Sequence, residues 1–211
     1  MDTDTLIARL SADTTRVLRQ AAPVRVAAWA GIGVLLSLIL LVSALEYRSD
    51  LSKAVGLTSF WAKAAFTSSI GAFGLLFVED LSRPDSAPPP WLWLALPLAL
   101  LAAVATVQVL STEPGQRWAM IMGPGWTCLP MILALSSPIF ILLIACLRSL
   151  APTRLATTGA VAGMAAGGLG ATVYGLSCHQ ESAIFLLTRY TTAIALLGAI
   201  GALTGPRLLR W

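Results

Sequence analysis

The sequence predicts an all-α fold: a polytopic membrane protein of six transmembrane helices, preceded by a short cytoplasmic amphipathic helix. Three observations carry that expectation. Of the 211 residues, 57% are hydrophobic and only 11% charged, against roughly 25% charged in a soluble domain. Mean hydropathy is +0.80. Long uncharged runs recur along the whole chain, which argues for many spans packed as one bundle and against a soluble core with a single anchor. The chain accordingly divides into a polar segment, residues 1–22, and a bundle, residues 23–211.

The first segment reads as a helix. Leu6, Ile7, Leu10, Val17 and Leu18 recur at helical spacing and fall on one side, with Asp13, Arg16 and Arg19 among the polar positions between them. Thr3 or Asp4 caps its start, and Pro23 favours a break or bend near Ala22. So short an amphipathic helix has no core of its own to cover. It either lies on the lipid surface or bundle, or holds a partner.

Residues 26–45 form the first span, about the 20 residues that cross roughly 30 Å of hydrocarbon. Val42-Ser43-Ala44 has the look of a signal-peptidase site. The long mixed-charge segment before it and the length of the apolar run favour a retained span instead. The remaining spans read as residues 60–78, 91–110, 128–147, 156–176 and 184–204.

The connections set the orientation. The four arginines ahead of the first span, Arg9, Arg16, Arg19 and Arg25, with Arg83, Arg148, Arg154, Arg207 and Arg210, fall on one side, and Arg48, Lys53 and Arg117 on the other. That bias of nine to three places both termini in the cytoplasm. Lys63 and Arg189 lie within spans, near the outer ends, where long cationic side chains snorkel to the interface or pair with an acid such as Glu113 or Glu181. Gly159, Gly163, Gly167, Ala171 and Gly175 repeat every four residues along the fifth span, and Gly198, Gly201, Ala202 and Gly205 line the sixth. Small residues at this spacing mean close helix packing with little to resist sliding, or else a substrate path.

Chemistry concentrates at the outer rim. Cys128 begins the fourth span and Cys178 ends the fifth, so antiparallel neighbours carry the two thiols to one level of the bilayer. On an oxidising outer face such a pair forms a disulfide if the Cα atoms approach within about 7 Å. With His179 and Glu181 beside them, Cys128 and Cys178 are also candidate ligands for a soft heavy-metal ion, although the spacing matches no zinc motif. Cys146, at the opposite end of the fourth span, reads as a small core residue. No Walker sequence, His-Glu-x-x-His or paired Cys-x-x-Cys is present, which leaves no enzyme motif and no resident cofactor.

An ordered set of pieces then becomes recognisable. It runs Asp4-x-Leu6-Ile7-x-x-Leu10-x-x-Asp13, Phe60-Trp61-x-Lys63, Gly125-x-x-Cys128-Leu129-x-x-Ile132 and Pro152-Thr153-Arg154. It continues with Gly159-Ala160-x-Ala162-Gly163, Gly167-x-x-Gly170-Ala171-Thr172-x-Tyr174, Cys178-x-x-Glu181-Ser182 and the tail from Gly205 to Trp211. Over nearly its whole length the chain resembles the NrsF family of six-span bacterial inner-membrane anti-sigma factors. The resemblance implies sequestration of an extracytoplasmic-function sigma factor, released on heavy-metal or oxidative stress, with no direct contact to nucleic acid. It maps the family's two cysteines onto Cys128 and Cys178 and its amphipathic start onto Asp4 to Asp13. The competing expectation is a small metal or solute transporter, with Lys63, Arg189 and the glycine-lined spans forming its path.

Overall fold

The computed structural model describes residues 3–12, 21–44, 55–82, 92–113, 115–116, 127–150, 152–180 and 182–210. Asp13, Trp118, the stretch 123–126 and Glu181 lie outside the described residues. The described chain is helical, in the order α1 (Thr3–Ala12), α2 (Ala21–Ala44), α3 (Thr58–Leu81), α4 (Leu92–Ser111), α5 (Cys128–Arg148), α6 (Leu155–Gly175) and α7 (Ala183–Leu208). A π-helical stretch, Leu186–Tyr190, interrupts α7.

Proline placement explains much of the local geometry. Pro23 lies in α2, and the described helix runs from Ala21 through it without a break. Pro138 lies inside α5. It removes the donor to the carbonyl four residues back, and the Ser137 hydroxyl supplies one instead, donating to Ala134 O at 2.7 Å.

Four helices are long and apolar enough to cross a membrane: Ala22–Ala44, Thr58–Leu81, Cys128–Arg148 and Ala183–Leu208. These account for four of the six spans expected from the sequence. Ala95–Ser111 is a shorter apolar helix. The 21-residue α6 is as long as a span, but its glycines and threonines dilute its hydropathy. The protein turns apolar side chains outward, as a surface bathed in hydrocarbon requires: Leu35, Ile39 and Val42 on α2, Leu100 and Val107 on α4, and Leu203 on α7 are all exposed.

The bundle is built around α6. Val161, Ala162, Ala165, Ala166 and Ala171 are fully buried, and glycines bring its backbone against three neighbours. A Cβ on Gly159 would collide with Gly201 O, one on Gly163 with Leu197 O, and one on Gly201 with Gly159 O. Against α3, a Cβ on Gly168 would come within 2.5 Å of Gly71 N, and one on Gly74 within 2.8 Å of Ala165 Cα. On the α5 side, a Cβ on Gly170 would strike Ser136 Oγ. The small-residue faces of α6 and α7 are therefore filled by each other's backbones. Gly33 of α2 meets α5 in the same manner, and the Ser37 hydroxyl beside it is shared between Gly33 O (2.9 Å) and Leu135 O of α5 (2.6 Å).

This packing sorts the glycines by what surrounds them. Gly159→Val forces a branched side chain into the α7 backbone and should cost at least the roughly 1–3 kcal/mol typical of overpacking. A Cβ on Gly31 would meet nothing within 4 Å. Gly31→Ala should leave stability unchanged or raise it by about 0.5–1 kcal/mol through the better helix former. Thermal unfolding in detergent, followed by helix content, compares the two; equal midpoints would contradict the backbone-contact account.

Candidate functional site

At one end of the bundle, the first turns of α3, α5 and α7 and the last turn of α6 converge on Cys128, Cys178, Lys63, Tyr174, Arg189 and Tyr190. Each is buried, with fractional exposures between 0% and 8%. Cys128 is the first residue of α5, and Cys178 follows the last turn of α6, where Ser177 N and Cys178 N both donate to Tyr174 O at 3.0 and 3.2 Å. Helix polarity alone delivers the two cysteines to one end. Both are free thiols, and their side chains are in hydrogen-bond contact with each other.

Tyr174, one helical turn before Cys178, donates its hydroxyl to Cys128 Sγ at 3.0 Å. That bond bridges α6 to α5. The π-helical turn brings Arg189 and Tyr190 inward together, with the Arg189 guanidinium near enough to act on Cys128 electrostatically. Tyr190 is fully buried. Its ring packs against Tyr174 (centroids 6.0 Å apart) and Phe185 (6.2 Å), and its hydroxyl, without a hydrogen bond of ordinary geometry, faces the Cys178 sulfur. Wide turns of this kind recur at functional sites because they redirect side chains that an α-helix would place elsewhere.

Lys63 departs from the expectation of snorkelling. Only 2% of it is exposed, and its ammonium turns inward to donate to Cys178 O at 2.9 Å and Gln180 O at 3.1 Å. Two carbonyls of a helix-terminal loop, out of reach of intrahelical donors, outcompete the interface. A cavity of about 470 Å³, lined by the Lys63 stem, Phe66, Leu101, Val104, Ala183 and Leu186, opens beside it between α3, α4 and α7. On α4, Gln108 Oε1 accepts from Ser182 Oγ (3.2 Å) and Ile184 N (3.4 Å), tying down the first turn of α7.

Cys178 stands between α6 and α7, and its thiol is held below the ordinary cysteine range. The hydrogen bond from Cys128 is the main cause, with burial opposing it, and the Tyr190 hydroxyl, the Gln180 backbone N–H and the Lys63 ammonium assisting. His179 is exposed, and among the described residues no group of three or more metal-binding side chains occurs. Two facing sulfurs fit a soft ion that accepts two thiolates. They do not make a zinc site, which needs at least three protein ligands.

At the opposite end of the bundle, Cys146 is buried among core residues, and Arg25 of α2 donates to Ser149 Oγ at 3.3 Å. Asp4 and Ile7 lie on α1 and are exposed, Ile7 by 59%. The side chains of Leu6 and Leu10 lie outside those described. Sequence reading gives no role to Tyr174 or Tyr190; the available signal is Tyr174 one turn ahead of a cysteine.

The family model described as "Negative regulator of sigma F", NrsF, matches residues 10–211. The chain is 37% identical over 214 residues to the "Anti-sigma-F factor NrsF" of Caulobacter vibrioides (strain NA1000 / CB15N), covering 100% of both chains. It is 35% identical, again over the full length of both, to the "Probable anti-sigma-F factor NrsF" of Azospira oryzae (strain ATCC BAA-33 / DSM 13638 / PS). No solved structure matches.

The hydrogen bonds to Cys178 set a pH dependence. A lowered thiol is already thiolate at pH values where an ordinary cysteine is protonated, so its modification by a small alkylating reagent should fall off only at a lower pH than that of an exposed reference cysteine. Cys128→Ala removes the leading donor and should move the fall-off upward. Rates followed by mass spectrometry from pH 4 to 10 would test this, and an unmoved profile in Cys128→Ala would count against the assignment.

Proposed function

The chain belongs to the NrsF family of negative regulators of sigma F, anti-sigma factors and not enzymes, and from that premise we propose that it holds an extracytoplasmic-function sigma factor at the bacterial inner membrane and releases it on heavy-metal or oxidative stress. The observation that carries this reading is the meeting of Cys128 and Cys178 at the end of the bundle remote from Arg25 and Ser149. Arg148, Arg154 and Arg207 belong to that remote end, so the positive-inside rule makes it the cytoplasmic one. The thiols then face the periplasm, where disulfides persist. In this reading α4 and α6 complete a six-span bundle, and both termini are cytoplasmic.

Residues 1–22 act as the holding segment. In the sequence Asp4 and Asp13 bracket Leu6, Ile7 and Leu10, and the exposure of Ile7 supports a helix-in-groove contact. Joining the two sulfurs, directly or through a soft metal ion, changes the outer end of α6, and α6 packs backbone to backbone on α7. A shift of α6 along that flat contact carries the change to Leu155 and Gly205 at the inner end. A bias of about 1.4 kcal/mol between two arrangements changes sigma-factor affinity tenfold. His179 and Glu181 lie within three residues of Cys178 in the chain and tune the response. No resident cofactor takes part.

Three measurements test the scheme. Alkaline phosphatase fused after Arg210 should be inactive and fused near His179 active; the reverse would overturn the orientation. Leu6→Asp with Leu10→Asp should abolish co-purification of the sigma factor while the bundle stays folded. The Cys128→Ser, Cys178→Ser double variant should hold its sigma factor yet fail to release it under cadmium or peroxide, with Cys146→Ser like the parent. A normal response in that double variant removes the cysteine pair from the mechanism.

A further inference from the structure

Lys63 spends a buried charge on backbone carbonyls. Taking an ammonium out of water is costly unless its donors are satisfied, and two of them go to the connection that carries Cys178, at Cys178 O (2.9 Å) and Gln180 O (3.1 Å). The first part of that connection is already fixed to α6 through Tyr174 O. The turn of α3 that presents Lys63 is fixed to α6 as well: Thr67 Oγ1 donates to Lys63 O at 3.0 Å, and Thr172 Oγ1 of α6 donates to Thr67 Oγ1 at 2.9 Å. Cys128 is referred to the same helix by the Tyr174 hydroxyl. Both sulfurs are thus located from α6, one through Tyr174 and the other through a path that ends at Lys63.

We propose that Lys63 is the positioning residue of the thiol pair: its ammonium clamps the α6–α7 connection to α3 and so sets the separation at which Cys178 meets Cys128. The inference rests on the reading of the pair as the trigger. A neutral side chain with a single donor does not replace the clamp, because two carbonyls must be bound at once inside a largely apolar wall. Arginine, with several N–H groups in a fork, retains two donors.

The test uses the purified full chain in detergent with Cys146→Ser as background and diamide as oxidant. Two thiols lose two protons and two electrons to the diazene, which becomes the hydrazine, and the sulfurs join as a disulfide. Lys63→Met should slow Cys128–Cys178 disulfide formation at least about tenfold. It should also speed maleimide labelling of Cys178 as the connection comes loose, with helix content unchanged. Lys63→Arg should stay within about threefold of the background protein in both readouts. Disulfide formation at the background rate in folded Lys63→Met overturns the proposal. Should Lys63→Met not fold, Lys63→Arg decides: background-like rates support the clamp, and a tenfold loss in a folded variant overturns it. No sigma factor is present, so failure here leaves the anti-sigma function untouched, whereas a background protein that forms no disulfide at all removes the disulfide form of the trigger and, with it, this proposal.

Discussion

Backbone contact along α6 is the constraint on which the rest of the bundle depends. Where apolar side chains line both partner and solvent, burying more of them gives a helix pair little advantage, and close approach of the main chains supplies the dispersion energy instead. Gly159 and Gly163 meet α7, Gly168 meets α3 and Gly170 meets α5, so one helix fixes the distances to three others. The large side chains of α5, Ile132, Leu135, Ile139 and Leu143, then fill the remaining space and are fully buried or nearly so. Their shapes matter only because α6 has already set the spacing.

That tight centre governs how polar groups are accommodated. Ser136 and Thr67 each donate to the carbonyl four residues earlier in their own helix, at 2.7 and 3.0 Å. Such local bonds satisfy a hydroxyl without demanding a partner across the bundle. Thr172 and Thr67 also meet each other. Among the described residues, side chains reach other helices for polar partners in number at the cysteine end, and there the groups are chemically reactive or charged. The bundle is conservative in its middle and specific at one end.

The helices and the cysteine end are legible in the sequence for physical reasons. A run of uncharged residues can be little else than a helix in lipid, and antiparallel succession carries Cys128 and Cys178 to one level whatever the packing. The four-residue glycine spacing announces α6 as a close-packed element. It does not reveal which neighbours meet it, since a small residue is compatible with any partner, and it does not show that α6 and α7 fill each other's grooves. Lys63 escapes sequence reading because the general tendency of cations to reach the interface says nothing about two backbone carbonyls, the nearer one 115 residues away along the chain, that fold into range. Tyr174 and Tyr190 look like ordinary core aromatics until their hydroxyls are placed, and no pattern of residue types marks the wide turn at Leu186–Tyr190.

That wide turn has an evolutionary consequence. A π-helical turn accommodates one more residue than the α-helix around it, and each residue in an α-helix turns the face by about 100°. The segment therefore behaves as a tolerated insertion: Arg189 and Tyr190 point inward at the cysteine end while Ala193, Ile194 and Leu197 further along keep their places in the core. Deleting one residue between Leu186 and Tyr190 would restore the plain helix and keep the glycine face on α6, at the expense of the inward-facing arginine and tyrosine. Relatives of different lengths would thus be free to gain or lose the polar lining of the thiol end while inheriting the same bundle.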